Sequence, residues 1–174
     1  GGLVVAALAW AMVSPAGGVS RAEAGVLYVD AEAAGANDGS SWTDAFTALQ
    51  PALQAAQSGD QIWVAAGTYT PSLESTPGDP RSACFRLRNG VAIYGGFAGT
   101  EHNLEQRDWV RHPAILSGDL NGDDGPDFAN YAENSYHVFY HLGGVDSSAI
   151  LDGFTISGGL ADSWGVFPDE YEFG

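Results

Sequence analysis

Short apolar runs punctuated by glycine dominate this chain. Ile62-Trp63-Val64-Ala65 is the clearest. It is continuous, carries β-branched and aromatic residues, and lies between Gly59-Asp60 and Gly67, which predicts a buried strand between two turns. Val26-Leu27-Tyr28-Val29-Asp30 predicts an earlier strand, and Ala31 to Ser41, with Gly35, Asn37, Asp38 and Gly39, predicts a loop. Between them Leu49, Leu53 and Ala56 recur at helical spacing. Thr47 and Gln50 have the spacing of a capping box, Phe46 and Pro51 that of a hydrophobic staple, and Gly59 is a natural stop.

Beyond a polar loop from Thr70 to Ser82, four further apolar runs follow: Val91–Tyr94, Ala114–Leu116, His137–Tyr140 and Ala149–Ile156. Ile93, Ile115 and Val138 are spaced about 20–25 residues apart, a period typical of solenoids. Ala114-Ile115-Leu116-Ser117-Gly118 also echoes Ala149-Ile150-Leu151-Asp152-Gly153. With β-rich units this predicts an all-β solenoid: a right-handed parallel β-helix with a short N-terminal capping helix that shields the first strand edge.

Residues 1–24 read as a signal peptide whose start is missing. Leu3 to Val13 is apolar but too short to span a bilayer, Ser14, Pro15, Gly17 and Gly18 break it, and Ala22-Glu23-Ala24 is a small-x-small cleavage site. Residues 25–174 are then the N-terminal cap and first coils, continuing beyond Gly174. The charge sharpens this picture. Lysine is absent, six arginines face 22 acidic residues, and the net charge is −16. Such a surface repels nucleic-acid phosphates and anionic lipid, and offers carboxylates to divalent cations. The expected setting is secreted or cell-surface, with no direct membrane insertion by this segment. Cys84 is the sole cysteine, so no disulfide forms within the chain; it reads as a small buried hydrophobe.

Two segments carry a family resemblance. One is Leu27-Tyr28-Val29-Asp30 with Gly35-Ala36-Asn37-Asp38-Gly39-Ser40-Ser41-Trp42, running on to Gly67-Thr68-Tyr69. The other runs from Tyr94-Gly95-Gly96-Phe97 through Ile115-Leu116-Ser117-Gly118-Asp119 to Leu151-Asp152-Gly153-Phe154-Thr155-Ile156. Together they resemble the N-terminal region of secreted β-helix proteins of the pectate-lyase-like superfamily, including bacterial surface proteins related to polymorphic outer-membrane proteins. The resemblance implies a non-catalytic surface module for adhesion or glycan binding within a larger bacterial protein. It also admits a calcium-dependent polysaccharide lyase, in which calcium neutralises a uronate and an arginine takes the α-proton, and a structural stalk.

The candidate chemistry centres on Asp119-Leu120-Asn121-Gly122-Asp123-Asp124-Gly125-Pro126-Asp127. Asp119, Asn121 and Asp123 alternate as in D-x-N-x-D calcium loops, and Asp127 or Glu133 is positioned to complete a shell of hard oxygen ligands. The loop departs from an EF-hand at its sixth position, Asp124, and its twelfth, Asn130. An acidic solvated turn is the competing reading. Arg86, Arg88, Arg107 and Arg111 are lyase candidates by residue type alone. Arg86 and Arg88 read as the solvent face of a strand, and Arg107 and Arg111 as partners of Glu101, Glu105 or Asp108. His137 and His141 share a strand face without metal-site spacing elsewhere. Among the tryptophans, Trp63 reads as core, Trp42 as packing its loop onto the helix, and Trp109 and Trp164 as sugar-stacking platforms.

Overall fold

The computed structural model describes residues 24–141 and 143–162. Residues 1–23 of the expected signal segment, and Trp164, lie outside them.

The apolar runs form strands where the sequence predicts them: β1 (Val26–Val29), β2 (Gln61–Ala65), β4 (Ala92–Phe97) and β5 (Ala114–Ser117). Ile62, Trp63, Val64 and Ala65 are all buried, as a continuous apolar run in a parallel sheet requires. Two glycines divide runs that look uninterrupted. At Gly67 (φ 155°) the chain leaves β2 and begins β3 (Gly67–Tyr69). At Gly153 (φ 82°) the last run breaks into β6 (Ile150–Asp152) and β7 (Phe154–Ser157).

Among the described residues these strands make two small parallel sheets, of order β1-β2-β4-β6 and β3-β5-β7. One helix, α1 (Leu49–Ala55), packs Leu49, Ala52 and Leu53 into the core with Leu27, Val29, Ile62, Val64, Ile93 and Leu116. Short 3₁₀ turns fill several of the connections. Trp63 stacks on Phe97, with ring centroids 4.8 Å apart, and Cys84 is buried.

This arrangement is mixed α/β and overturns the expected all-β solenoid, the right-handed parallel β-helix. The period that suggested it does not stack like on like. Ile93 belongs to β4 and Ile115 to β5, which lie in different sheets. Val138 belongs to no strand; its neighbour Phe139 makes an isolated bridge to Phe85. The echoing segments at Ala114 and Ala149 lead into β5 and β6, which do not pair: β5 pairs with β3 and β7, and β6 with β4.

The helix differs from its expected form as well. Its N-cap is Ala48, which provides no side-chain cap, and the Thr47 N–H instead donates to Asn37 Oδ1 at 2.9 Å. It ends at Ala55, before Gly59, where Arg88 Nη1 donates to the Leu53 and Gln54 carbonyls at 2.9 and 3.2 Å. Arg88 thus satisfies helix-end acceptors. The outer edge of β1 is occupied by Phe46: its N–H donates to Tyr28 O, and the Asp30 N–H donates to Phe46 O, both at 2.9 Å. Backbone pairing there does what the helix was expected to do.

Candidate functional site

Two surface regions carry the chemistry. The first begins where β5 ends. Gly118 is required there, because a Cβ on it would sit 2.6 Å from Ser135 Oγ and 2.5 Å from Gly158 O. The next residue, Asp119, closes a tight turn with its own carboxylate. Oδ1 accepts from the N–H groups of Gly122 and Asp123 at 2.7 and 3.1 Å, and Oδ2 from that of Asp124 at 3.1 Å. Burial opposes ionisation of Asp119, but these N–H donors outweigh it and hold the carboxyl below its ordinary 3.8.

The chain then doubles back through 3₁₀ turns at Pro126–Phe128 and Tyr131–Glu133. Asn130 Nδ2 ties the return to Asp123 O at 2.9 Å. The return places Glu133 beside Asp119 and Asp124, so that carboxylate oxygens of all three lie within 4.8 Å of one another. Both Glu133 oxygens and Asp124 Oδ1 are closed to solvent and have no hydrogen-bond partner. Burial pushes the Glu133 carboxyl above its ordinary 4.5; the Asn121 N–H partly offsets this, and the neighbouring Asp119 carboxylate, with a smaller contribution from Asp123, adds to the rise. Asn134 is fully buried; its Nδ2 donates to Asp124 Oδ2 at 2.9 Å, and its Oδ1 has no partner. Arg81 holds the far side of this residue, donating from Nε to the Asn134 carbonyl at 2.7 Å and from Nη2 to Asp162 at 2.7 Å.

Of the expected calcium ligands, the structure therefore brings Asp119 to the centre, joined by Glu133 and by Asp124. Asn121, Asp123 and Asp127 are exposed, and neither Asp123 nor Asp127 belongs to the close carboxylate group. Alternation fails because Gly122 (φ 72°) turns the chain sharply, which leaves Asn121 and Asp123 exposed. Asp124, the departure from the calcium-loop pattern, is the residue that faces inward. The signal for it was the adjacent Asn121-Gly122, a strong turn former that resets which side chains share a face.

The second region is a cleft of about 270 Å³ lined by Trp109, Pro113, Ala114, Asp152, Gly153, Phe154 and Thr155. Asp108 builds the turn that presents Trp109: its Oδ1 accepts from Val110 N–H and Arg111 N–H at 3.1 and 3.0 Å. Trp109 is 55 % exposed. The Arg107 guanidinium lies over both the Tyr94 and Trp109 rings, 5.0 and 5.2 Å from their centroids, and bridges to Asp152 at 3.1 Å. Arg107 pairs across the fold with Asp152, not with the nearby acids expected from spacing, while Arg111 approaches Asp108 at 3.9 Å. Arg86 and Arg88 lie outside any strand. Trp42 packs against Tyr28 and Phe97 and donates from Nε1 to Glu101 O at 2.9 Å, so its contacts are with strand aromatics. His137 stacks on Tyr140, whereas His141 Nδ1 accepts from the Gly143 N–H.

Among the described residues no arginine makes an ion pair with Asp119, Asp124 or Glu133. No helix among them is long and apolar enough to cross a membrane. Comparisons with family models, with curated proteins and with solved structures find no match to this chain.

Proposed function

We propose that this chain is a non-catalytic binding module of a secreted or cell-surface bacterial protein, and that it engages carbohydrate in the cleft beside Trp109. The observation that carries the reading is Trp109 itself. A large indole held half in water costs hydrophobic free energy, and the Arg107 contact together with the Asp108 turn keeps it there. The apolar face suits the C–H face of a sugar ring, and the Asp152 carboxylate suits hydroxyl donors. Asp152 is the sole charged residue lining the cleft, and Arg107 balances it. That local neutrality favours neutral oligosaccharides over uronates, which the net charge of −16 repels.

The non-catalytic part rests on how the arginines are used. Of the four candidate arginines, Arg107 is paired with Asp152, Arg88 is committed to the end of α1, the Arg86 Nε is closed to solvent, and Arg111 lies beside Asp108 at 3.9 Å. A lyase base has to reach substrate free of such partners.

The test is calorimetric titration of the full chain with a panel of neutral and uronate oligosaccharides. Binding is expected to weaken about tenfold or more in Trp109→Ala, a loss of roughly 1.4 kcal/mol. Absence of binding across the panel, or binding that Trp109→Ala leaves intact, overturns the reading. Unsaturated product from a polyuronate in the presence of calcium would replace it with the lyase.

A further inference from the structure

We propose that Asp119, Asp124 and Glu133 bind one calcium-class divalent cation beside the buried Asn134 amide. This site is separate from the Trp109 cleft and does not depend on its occupant.

Two independent observations carry the inference. The first is geometric: one oxygen from each carboxylate lies within 4.8 Å of the others. A cation bonded to oxygens at about 2.4 Å joins ligands up to about 4.8 Å apart, the scale of calcium coordination. The donor set is all oxygen, which suits a hard cation and not zinc. The second is the state of Asn134. Its side chain is fully buried against Asp124, and its Oδ1 has no donor. A buried amide oxygen without a donor costs about 1–3 kcal/mol. The Asn134 Nδ2 holds Asp124 Oδ2 at 2.9 Å, so only Oδ1 of Asp124 is left without a donor.

The carboxylates point the same way. Glu133 Oε1 and Oε2 and Asp124 Oδ1 are closed to water without a donor. Three acidic groups in such a position repel one another, and among the described residues no basic side chain is paired with them. A divalent cation supplies the missing countercharge. It would also fasten the return of the 119–134 loop to the end of β5, since Asp119 and Glu133 stand at the two ends of that loop.

The experiment titrates the full chain, freed of metal by a chelator, with calcium chloride, following stoichiometry by calorimetry and melting temperature in parallel. One site per chain is expected. At a hundredfold excess over Kd the melting temperature should rise roughly 5–10 °C. Glu133→Gln and Asp124→Asn should each abolish the response, whereas Asn121→Ala and Asp127→Asn should keep it. Circular dichroism checks that the variants fold. Two results overturn the proposal: no calcium binding by folded protein, or binding that persists in the Glu133→Gln, Asp124→Asn double variant. A third is stabilisation by mild acid with none from calcium, which would assign the centre to a proton shared between Glu133 and a neighbouring carboxylate.

Discussion

Glu101 and Glu133 are both withdrawn from water, and the protein treats them in opposite ways. Glu101 is 8 % exposed, but each oxygen meets a backbone donor: Oε1 accepts from the Ala98 N–H at 2.7 Å and Oε2 from the Thr100 N–H at 2.9 Å. Burial opposes its ionisation, the donors prevail, and its carboxyl lies below the ordinary 4.5. Glu133 has neither oxygen satisfied, and its carboxyl lies above that value. The acidic loop that precedes α1 follows the Glu101 pattern. Asp44 Oδ1 accepts from the Ala36 N–H and its Oδ2 from the Ser41 hydroxyl, Asp30 accepts from the Glu32 N–H, and Asp38 from that of Ser40. Acidic residues abound along this chain, so acidity alone does not mark a site. What separates Glu133 is the missing donor: one carboxylate holds a turn together, and the other lacks a partner that only a proton or a cation can replace.

The largest expected effect falls on the satisfied carboxylate. Glu101→Ala removes the acceptor of the Ala98 and Thr100 N–H groups in a part-buried turn, and should destabilise the fold by about 2 kcal/mol, read as a lower urea midpoint. A stability change near zero would mean those donors reach water and that the contrast with Glu133 is overstated.

The second effect has the opposite sign. In chelator at neutral pH, Glu133→Gln removes a charge from a repulsive group and should raise stability by ~1 kcal/mol, or about 3 °C in melting temperature. A fall would show that the Glu133 charge is compensated in the metal-free protein.

The pH dependence separates the two residues further. Because the folded pKa of Glu133 is raised, its contribution to stability is present below 4.5 and lost as pH rises through the folded value. Glu101 and Asp119 are depressed, so their contributions are present above 4.5 and 3.8 and lost as pH falls through their folded values. Metal-free protein should therefore gain stability from Glu133 as pH falls from neutrality toward 4.5, and Glu133→Gln should lack that gain. Melting curves of both proteins across this range give the comparison.

The smallest effect is at the exposed residues. Asp127 lies in the left-handed region at φ 57°, which asparagine also tolerates. Asp127→Asn should change stability by less than about 0.5 kcal/mol. A larger loss in the presence of calcium would bring Asp127 into the shell that sequence spacing assigned to it.

The strands were legible because each is a local event. Ile62–Ala65 is apolar over a length only a strand suits, and β1, β4 and β5 follow the same rule. Sheet membership was not legible. Nothing local distinguishes Ile93 from Ile115, yet β4 and β5 belong to different sheets, and the apparent period between them marks a crossing from one sheet to the other. The candidate sites divide in the same way. Asp119 and Trp109 were candidates from residue type and local turn signals. Asp152 was not, because its partner Arg107 is 45 residues away in sequence.

What the sequence determined by itself was the set of apolar runs, the turns between them and the strongly acidic surface, because each depends on residue type and close neighbours. The tertiary structure decided which runs pair, where Gly67 and Gly153 divert the chain between sheets, and which carboxylates find a donor. Every aspartate and glutamate enters the fold with the same appetite for hydrogen bonds. Only the path of the backbone brings an N–H group onto each oxygen of Glu101 and leaves Glu133 with no more than the weak influence of the Asn121 N–H.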